Sequence, residues 1–306
     1  MPKAAHDISG YLLLHKNGGL TSFDSLHQVK RALKTGKIGH TGTLDKFAEG
    51  LLVILVGKYT SLVPIFNELD KVYIGTIRFG EETDTLDPEG KLILTAPVPP
   101  KERILQVLPS FLGHQFQIPP VYSAIHVDGQ RASERVRSGQ TISMQAREIT
   151  IHSIDVLYYN EPYLTIRIHC SKGTYIRALA RDIGKASGSC AYLDALQRVA
   201  VGPFCDDDSL HLEPGSVRED TIQKALKPVN PELFHQLNIP HLFLNALDEV
   251  YIMQGRPLQP IIKKYSILQE SPLLGIFSNK DRLLALVEQE KINGSAVWKY
   301  KHVYPH

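Results

Sequence analysis

No stretch of the sequence approaches the roughly 18 consecutive apolar residues of a membrane span, and the opening MPKAAHDISG has none of the apolar core of a secretory signal. The expectation is a soluble chain working in the cytoplasm, with no membrane partner. Cysteine is scarce: Cys170, Cys190 and Cys205 are odd in number and show no CxxC spacing. That argues against a disulfide framework and a zinc ribbon. The 13 histidines include no HExxH or comparable helical pair, so no metal site is expected. Gly-Lys pairs such as Gly36-Lys37 and Gly57-Lys58 are followed by Ile and Tyr rather than Ser or Thr, which argues against the phosphate-binding loop of a P-loop NTPase. Internal repeats and low-complexity tracts are missing as well.

What is present is an ordinary globular composition, with 306 residues of which 43% are hydrophobic and 22% charged. Such a length suits one large domain and a smaller one. The net charge of +2 says little about nucleic acid, but its distribution says more. Between Ser22 and Lys46 stand Lys30, Arg31, Lys34, Lys37 and Lys46 against only Asp24 and Asp45. A solvated helix face and an RNA-facing patch both account for that cluster.

Thr21 or Ser22 can cap a helix in which Phe23, Leu26, Val29 and Leu33 recur at helical spacing, with the basic residues on the other side. Gly36 and Gly39 end it, the loop GHTGTLD follows, and Leu51 to Val56 reads as a buried strand. A second helix is expected from Thr60 with Leu62, Ile65, Phe66 and Leu69 on one side. In the strand Lys71 to Phe79, Tyr73, Ile77 and Phe79 share a face. Asp84 and Asp87 lie in ETDTLDPEG, a turn by its Asp, Pro and Gly. A helical stretch follows from Lys101 to Leu112.

Leu164, Ile166, Ile168 and Cys170 alternate as an inward strand face, and Ile176, Leu179, Ala180 and Ile183 mark a helix with Arg177 off its buried stripe. Without further context, Arg177 would pair with Asp182 at the surface. The proline-rich run from Pro228 to Pro240 marks a boundary. Beyond it YIMQGRPL, LLGIFSN, LLALVEQ and AVWKYKHVY are each short enough for strands of a compact barrel.

The stretch IGHTGTLDKFAEGLL brings a His and an Asp together among three glycines and two threonines, between buried elements. It resembles the signature GHTGTLDPxAxGxL of the pseudouridine synthase B family, enzymes that modify uridine 55 of transfer RNA. Gly39, His40, Thr41, Gly42, Thr43, Leu44, Asp45, Ala48, Gly50 and Leu52 match it. Further elements follow in the family's order: Lys16, Gly19, Thr21 and Ser22, then KVYIG with Tyr73, GEETDTLDPEG, QIPPVYSAI and CSKGTYIRALA. The sequence departs from the pattern at His15 and Asn17, at Lys46 and Phe47 where the family has Pro-Leu, and at Gln197. These departures touch loop rigidity rather than the identity of the carboxylate.

The resemblance implies an α+β fold with a mixed, mainly antiparallel central sheet and flanking helices. Residues 1-240 would form the catalytic domain, with an inserted thumb-like loop near 119-150. Residues 241-306 would form a small β-barrel-like RNA-binding domain of PUA type. It further implies Asp45 as the catalytic carboxylate, Tyr73 stacking on the base and acting in a late proton transfer, and Arg177 orienting Asp45. His40 would brace the gap left by the extruded base, and Lys16, Lys172, Tyr175 and Leu196 would contact the substrate. The implied partner is the T-loop and T-arm of tRNA, met by a monomer without cofactor, metal or guide RNA. A non-catalytic RNA-binding module and a guide-dependent relative are the competing readings. A hydrolytic glycosidase would need a second suitably placed carboxylate, and the loop GHTGTLD holds only Asp45.

Overall fold

The computed structural model describes residues 8–305 apart from 124, 128–129, 132–134, 136–141, 213–218, 266–270 and 293–294. Its centre is a ten-stranded sheet. Along the main path the order is Leu210–His211, Gly10–Lys16, Glu49–Val56, Ala191–Val201, Lys71–Phe79, Tyr163–Cys170, Arg147–Asn160 and Gly113–Gln117. Ile38–His40 and Phe204–Cys205 attach to its flanks. Most pairings are antiparallel, but Glu49–Val56 meets Ala191–Val201 in parallel, through Gln197 opposite Glu49 and Arg198 opposite Gly50. The sheet is therefore mixed, as expected.

Helix Ser22–Leu33 starts on a capping box in which Thr21 Oγ1 accepts from the Asp24 N–H and Asp24 returns a bond to the Thr21 N–H. It buries Leu26, Val29, Ala32 and Leu33 against Leu12, Leu14, Leu52 and Ile54. Phe23 departs from its expected place on that face: it is 60% exposed, and the Lys30 ammonium lies 5.7 Å from its ring centroid. The first turn lies at the rim of the packed face, where an aromatic ring reaches a cation more readily than the core.

The element expected from Thr60 is a 3-10 turn, Gly57–Leu62, running into a short helix, Val63–Asn67. Helix Ile176–Ala186 buries Ile176, Leu179, Ala180 and Ile183 as anticipated. Arg177 does not lie off the buried stripe: it is only 5% exposed, because two carboxylates receive its guanidinium. Asp182 pairs instead with its neighbour Arg181.

The C-terminal part carries its own four-stranded sheet, ordered His241–Leu244, Leu273–Ser278, Leu283–Ile292 and Ser295–Val303. YIMQGRPL is not a strand. Ala246–Met253 is a helix capped by Asn245, whose side chain accepts from the Asp248 N–H at 3.0 Å, and it buries Ile252 while leaving Leu247 and Val250 exposed. The Asn245 cap, with Ile252 buried and Tyr251 and Met253 packed beside it, accounts for a helix where the apolar run alone suggested a strand.

Phe277, Leu283, Leu286 and Tyr304 of this part join one apolar cluster with Leu13, Leu51, Phe66 and Phe204 of the central sheet. The Tyr304 hydroxyl also lies 2.9 Å from Ser61 Oγ. Of the thumb-like segment, His126–Val127 pairs with Gln130–Arg131, and the Arg147 strand begins beyond it. Much of the rest falls outside the described residues. All three cysteines are free, and among the described residues no helix is long and apolar enough to cross a membrane.

Candidate active site

The loop between Ile38–His40 and Glu49–Val56 carries Asp45, and it is fastened on both sides of that residue. Ser22 Oγ accepts from the Leu44 N–H at 3.0 Å and donates to the Leu44 carbonyl at 3.2 Å. On the other side the Gly19 N–H donates to the Lys46 carbonyl at 2.8 Å. Leu44 and Ala48 anchor the loop in the core, at 3% and 0% exposed. Lys46 and Phe47 therefore stand in a loop whose rigidity comes from these contacts rather than from a proline ring.

Two glycines fix how closely the loop meets its neighbour strand. At Gly50, with φ of +104°, a Cβ would lie 2.4 Å from the Arg198 carbonyl oxygen. At Gly42, with φ of +78°, it would lie 3.2 Å from Arg198 Nη1. Only glycine adopts these angles without strain and leaves that space. Arg198, 1% exposed, donates from Nε to the Leu51 carbonyl at 2.8 Å and from Nη2 to the Gly42 carbonyl at 3.1 Å.

Asp45 and Arg177, 132 positions apart, meet in the wall of a cleft of about 640 Å³. Arg177 Nη2 donates to Asp45 Oδ1 at 3.1 Å, and Nε lies 2.9 Å from Oδ2 without the alignment of a hydrogen bond. The guanidinium is itself held from behind: Nη1 donates to Asp87 Oδ2 at 3.0 Å and to the Thr85 carbonyl at 2.7 Å. Nη2 also reaches the Tyr122 carbonyl at 3.0 Å. Asp87 is fixed in turn, its Oδ1 accepting from Thr85 Oγ1 at 2.6 Å and from the Glu89 N–H at 3.0 Å. Asp87 is thus more than the turn former that its sequence context suggests.

Enclosure by protein pushes the Asp45 carboxyl above the usual carboxylate range; the Arg177 charge opposes this shift and the Asp87 charge adds to it. Even so, 37% of the Asp45 side chain is exposed, toward the cleft it lines. A carboxylate aligned by a fixed guanidinium and incompletely solvated is equipped to act as a nucleophile or base.

Tyr73, His40, Leu196, Tyr175 and Lys172 line the same cleft, as does Arg198. Burial raises the Tyr73 phenol pKa, against the Arg198 charge, and keeps it protonated. Burial, followed by the Arg198 charge, lowers the His40 pKa, so this imidazole is neutral at pH 7; its Nδ1 has no hydrogen-bond partner among the described residues. Leu196 is apolar floor, 8% exposed. The Tyr175 backbone is clasped by Gln117, which accepts from its N–H at 2.9 Å and donates to its carbonyl at 3.1 Å. Lys172 stands at the rim, paired with Glu68.

Lys16 departs from its expected place at the substrate. It is 1% exposed and does not line the cleft. Its ammonium donates to the carbonyls of Leu20 at 2.6 Å, Asn17 at 3.1 Å and Lys46 at 3.4 Å. Burial pushes its pKa down to about 8. Those carbonyls draw the ammonium inward beneath the Asp45 loop, so Lys16 supports the loop.

Two residues of the site escaped the sequence reading in their roles: Asp87, which lies behind Arg177, and Arg198, which lines the cleft. The first lies in the TLDPEG segment already noted and the second two positions after Leu196, but nothing local showed that each reaches across to the Asp45 loop or to its partner.

Comparison with known proteins gives the chain's family. Residues 30–176 match the family model described as the N-terminal domain of the TruB family of pseudouridylate synthases. The tRNA pseudouridine synthase B of Borreliella burgdorferi is 37% identical over 96% of this chain and 98% of its own length. That of Treponema denticola is 47% identical over 63% of this chain and 60% of its own length. Among solved structures, a chain of a Cbf5-Nop10-Gar1 complex superposes with a TM-score of 0.69 at 22% identity, covering 96% of this chain and 84% of that one. At that identity the likeness concerns the fold.

Proposed function

Because the chain belongs to the TruB family of pseudouridylate synthases, we propose that it isomerises uridine 55 in the T-loop of tRNA to pseudouridine with Asp45 as the catalytic carboxylate. The coarser activity, pseudouridine formation in tRNA, is that of its relatives along nearly the whole chain. The observation that supports the finer reading is the Asp45–Arg177 pair in the wall of a cleft that Tyr73, His40 and Leu196 also line.

The reaction breaks the C1′–N1 glycosidic bond, turns the uracil while it is held, joins C1′ to C5, and moves the C5 proton away while N1 gains one. No external reagent is consumed. Asp45 serves either by attack at the electrophilic C6 of uracil or at the sugar; both use the same aligned carboxylate. Arg177 keeps it ionised and oriented. Tyr73 offers its ring to the base and its phenol to the late proton transfer.

The target base must leave its stack, and a cleft of about 640 Å³ has room for one nucleoside with water. Neutral His40 braces the vacated position, and Leu196, Tyr175 and Lys172 contact the substrate. Residues 241–306, with their separate sheet, serve as a PUA-type RNA-binding unit.

Incubating the purified chain with an unmodified T-loop transcript, with no guide RNA, tests the reading. Pseudouridine at position 55 and nowhere else in the transcript is the expected product. A gel shift without product would mark a binding module, and a requirement for guide RNA would mark the guide-dependent alternative.

A further inference from the structure

On the face of the central sheet turned away from the cleft, three potential metal ligands converge from three separate segments. Asp70 immediately precedes strand Lys71–Phe79, His169 lies in Tyr163–Cys170 and His152 in Arg147–Asn160. One ligand atom from each lies within 4.8 Å of the other two. His152 Nε2 is 3.1 Å and His169 Nε2 is 3.8 Å from the same oxygen, Asp70 Oδ2. The two imidazole centroids are 4.6 Å apart.

The backbone explains the convergence. Ile168 and Cys170 point into the core beneath the cleft, so His169 between them points to the opposite face. Opposite it the pairing jumps from Ile151 with Cys170 to Ser153 with His169, leaving His152 as the extra residue of a β-bulge. A bulge redirects a side chain, and here it brings a second imidazole toward His169. Val72 pairs with His169 on the other side, which sets the turn holding Asp70 beside both rings.

We propose that Asp70, His152 and His169 form a surface site for a borderline-soft divalent transition metal, of which Zn²⁺ is the reference case. Bonds of roughly 2.0–2.1 Å at a tetrahedral centre put neighbouring ligand atoms about 3.3 Å apart. The two His–Asp separations of 3.1 and 3.8 Å bracket that value. Two imidazole nitrogens and one carboxylate suit Zn²⁺, Co²⁺ and Ni²⁺ better than Mg²⁺ or Ca²⁺, which prefer oxygen. With side chains 38–43% exposed, the centre is reached from solvent, and its fourth position takes water. Sequence spacing gave no hint of it, since the ligands are 82 and 17 positions apart. The bound ion would tie two neighbouring strands to the turn that begins a third.

The test uses the full chain, freed of metal by chelation and then titrated with ZnCl2 in a calorimeter. One Zn²⁺ per chain is expected, with a thermal midpoint that rises on addition of Zn²⁺. His152→Gln and His169→Gln should each weaken binding at least tenfold and remove the thermal shift while leaving tRNA pseudouridine formation intact. Asp70→Asn gives an independent variant should either histidine change impair folding. Co²⁺ should produce the absorption of a four-coordinate centre in the wild-type chain only. Failure of the wild-type chain to bind Zn²⁺, or binding unchanged in all three variants, would overturn the proposal.

Discussion

The Arg177 guanidinium is shared between two carboxylates, meeting Asp87 through Nη1 at 3.0 Å while its Nη2 and Nε edge faces Asp45. Asp87 is 7% exposed on its side chain and Asp45 37%, so the two partners play unequal parts. The inner one fixes the arginine, and the outer one is presented to the cleft by it.

Asp87→Asn keeps the shape of that inner contact and removes its charge. We expect roughly 10- to 100-fold lower kcat with little change in KM, because the change acts on orientation rather than on substrate contact. Asp87→Ala should also destabilise the fold, by about 3–5 kcal/mol, since a buried guanidinium loses one of its partners. Steady-state kinetics and chemical denaturation separate the two effects. An unchanged kcat in a folded Asp87→Asn enzyme would contradict the positioning role.

Asp45→Asn is expected to leave tRNA affinity within a few fold and to abolish conversion, as the amide preserves shape but cannot act as nucleophile or base. Filter binding and a tritium-release assay on the same preparation measure both. Substantial residual turnover would remove Asp45 from the reaction.

The raised pKa of Asp45 sets a direction for pH dependence. As pH falls, this carboxyl takes up its proton earlier than an ordinary aspartate, so kcat should begin to decline while surface carboxylates are still ionised. For stability the sign is opposite. The ionised Asp45 costs folding free energy at pH above its raised value, and that cost disappears as pH drops through it. A kcat that holds constant down to the ordinary carboxylate range would be incompatible with this assignment.

Ser22→Ala tests the clamp on the catalytic loop. The change leaves the buried Leu44 N–H without its acceptor, for which a loss of about 1–3 kcal/mol is expected. It should also lower kcat, because Leu44 is the residue next to Asp45. Ser22→Thr, which keeps the hydroxyl, should recover part of both. A melting curve alongside single-turnover rates checks the pair.

Much of this site was readable before any coordinates. The loop from Gly39 to Asp45, the face shared by Tyr73 and Ile77, and the helix carrying Arg177 all follow from local pattern and ordered motifs, and the structure brings Asp45 and Arg177 into contact. Partnerships set by strand order were not readable. Arg198 reaches Gly42 only because Ala191–Val201 lies parallel beside Glu49–Val56, and local periodicity carries no information on that neighbourhood. Burial of charge misled in the same way. Lys16 and Arg177 look like surface cations, yet both are enclosed because carbonyls or carboxylates wait for them inside. At Ala246–Met253 an apolar run without clear period concealed a capped helix.

The apolar cluster in which Phe277, Leu283, Leu286 and Tyr304 pack with Leu13, Leu51 and Phe66 has a thermodynamic consequence. Cutting the chain near residue 240 would strip oil-like side chains of their cover on both fragments, so neither half should persist as a well-behaved solute. Heating should unfold sheet and appendage in a single cooperative step. If residues 241–306 bind RNA as proposed, that RNA would be held in fixed register with the cleft that carries Asp45.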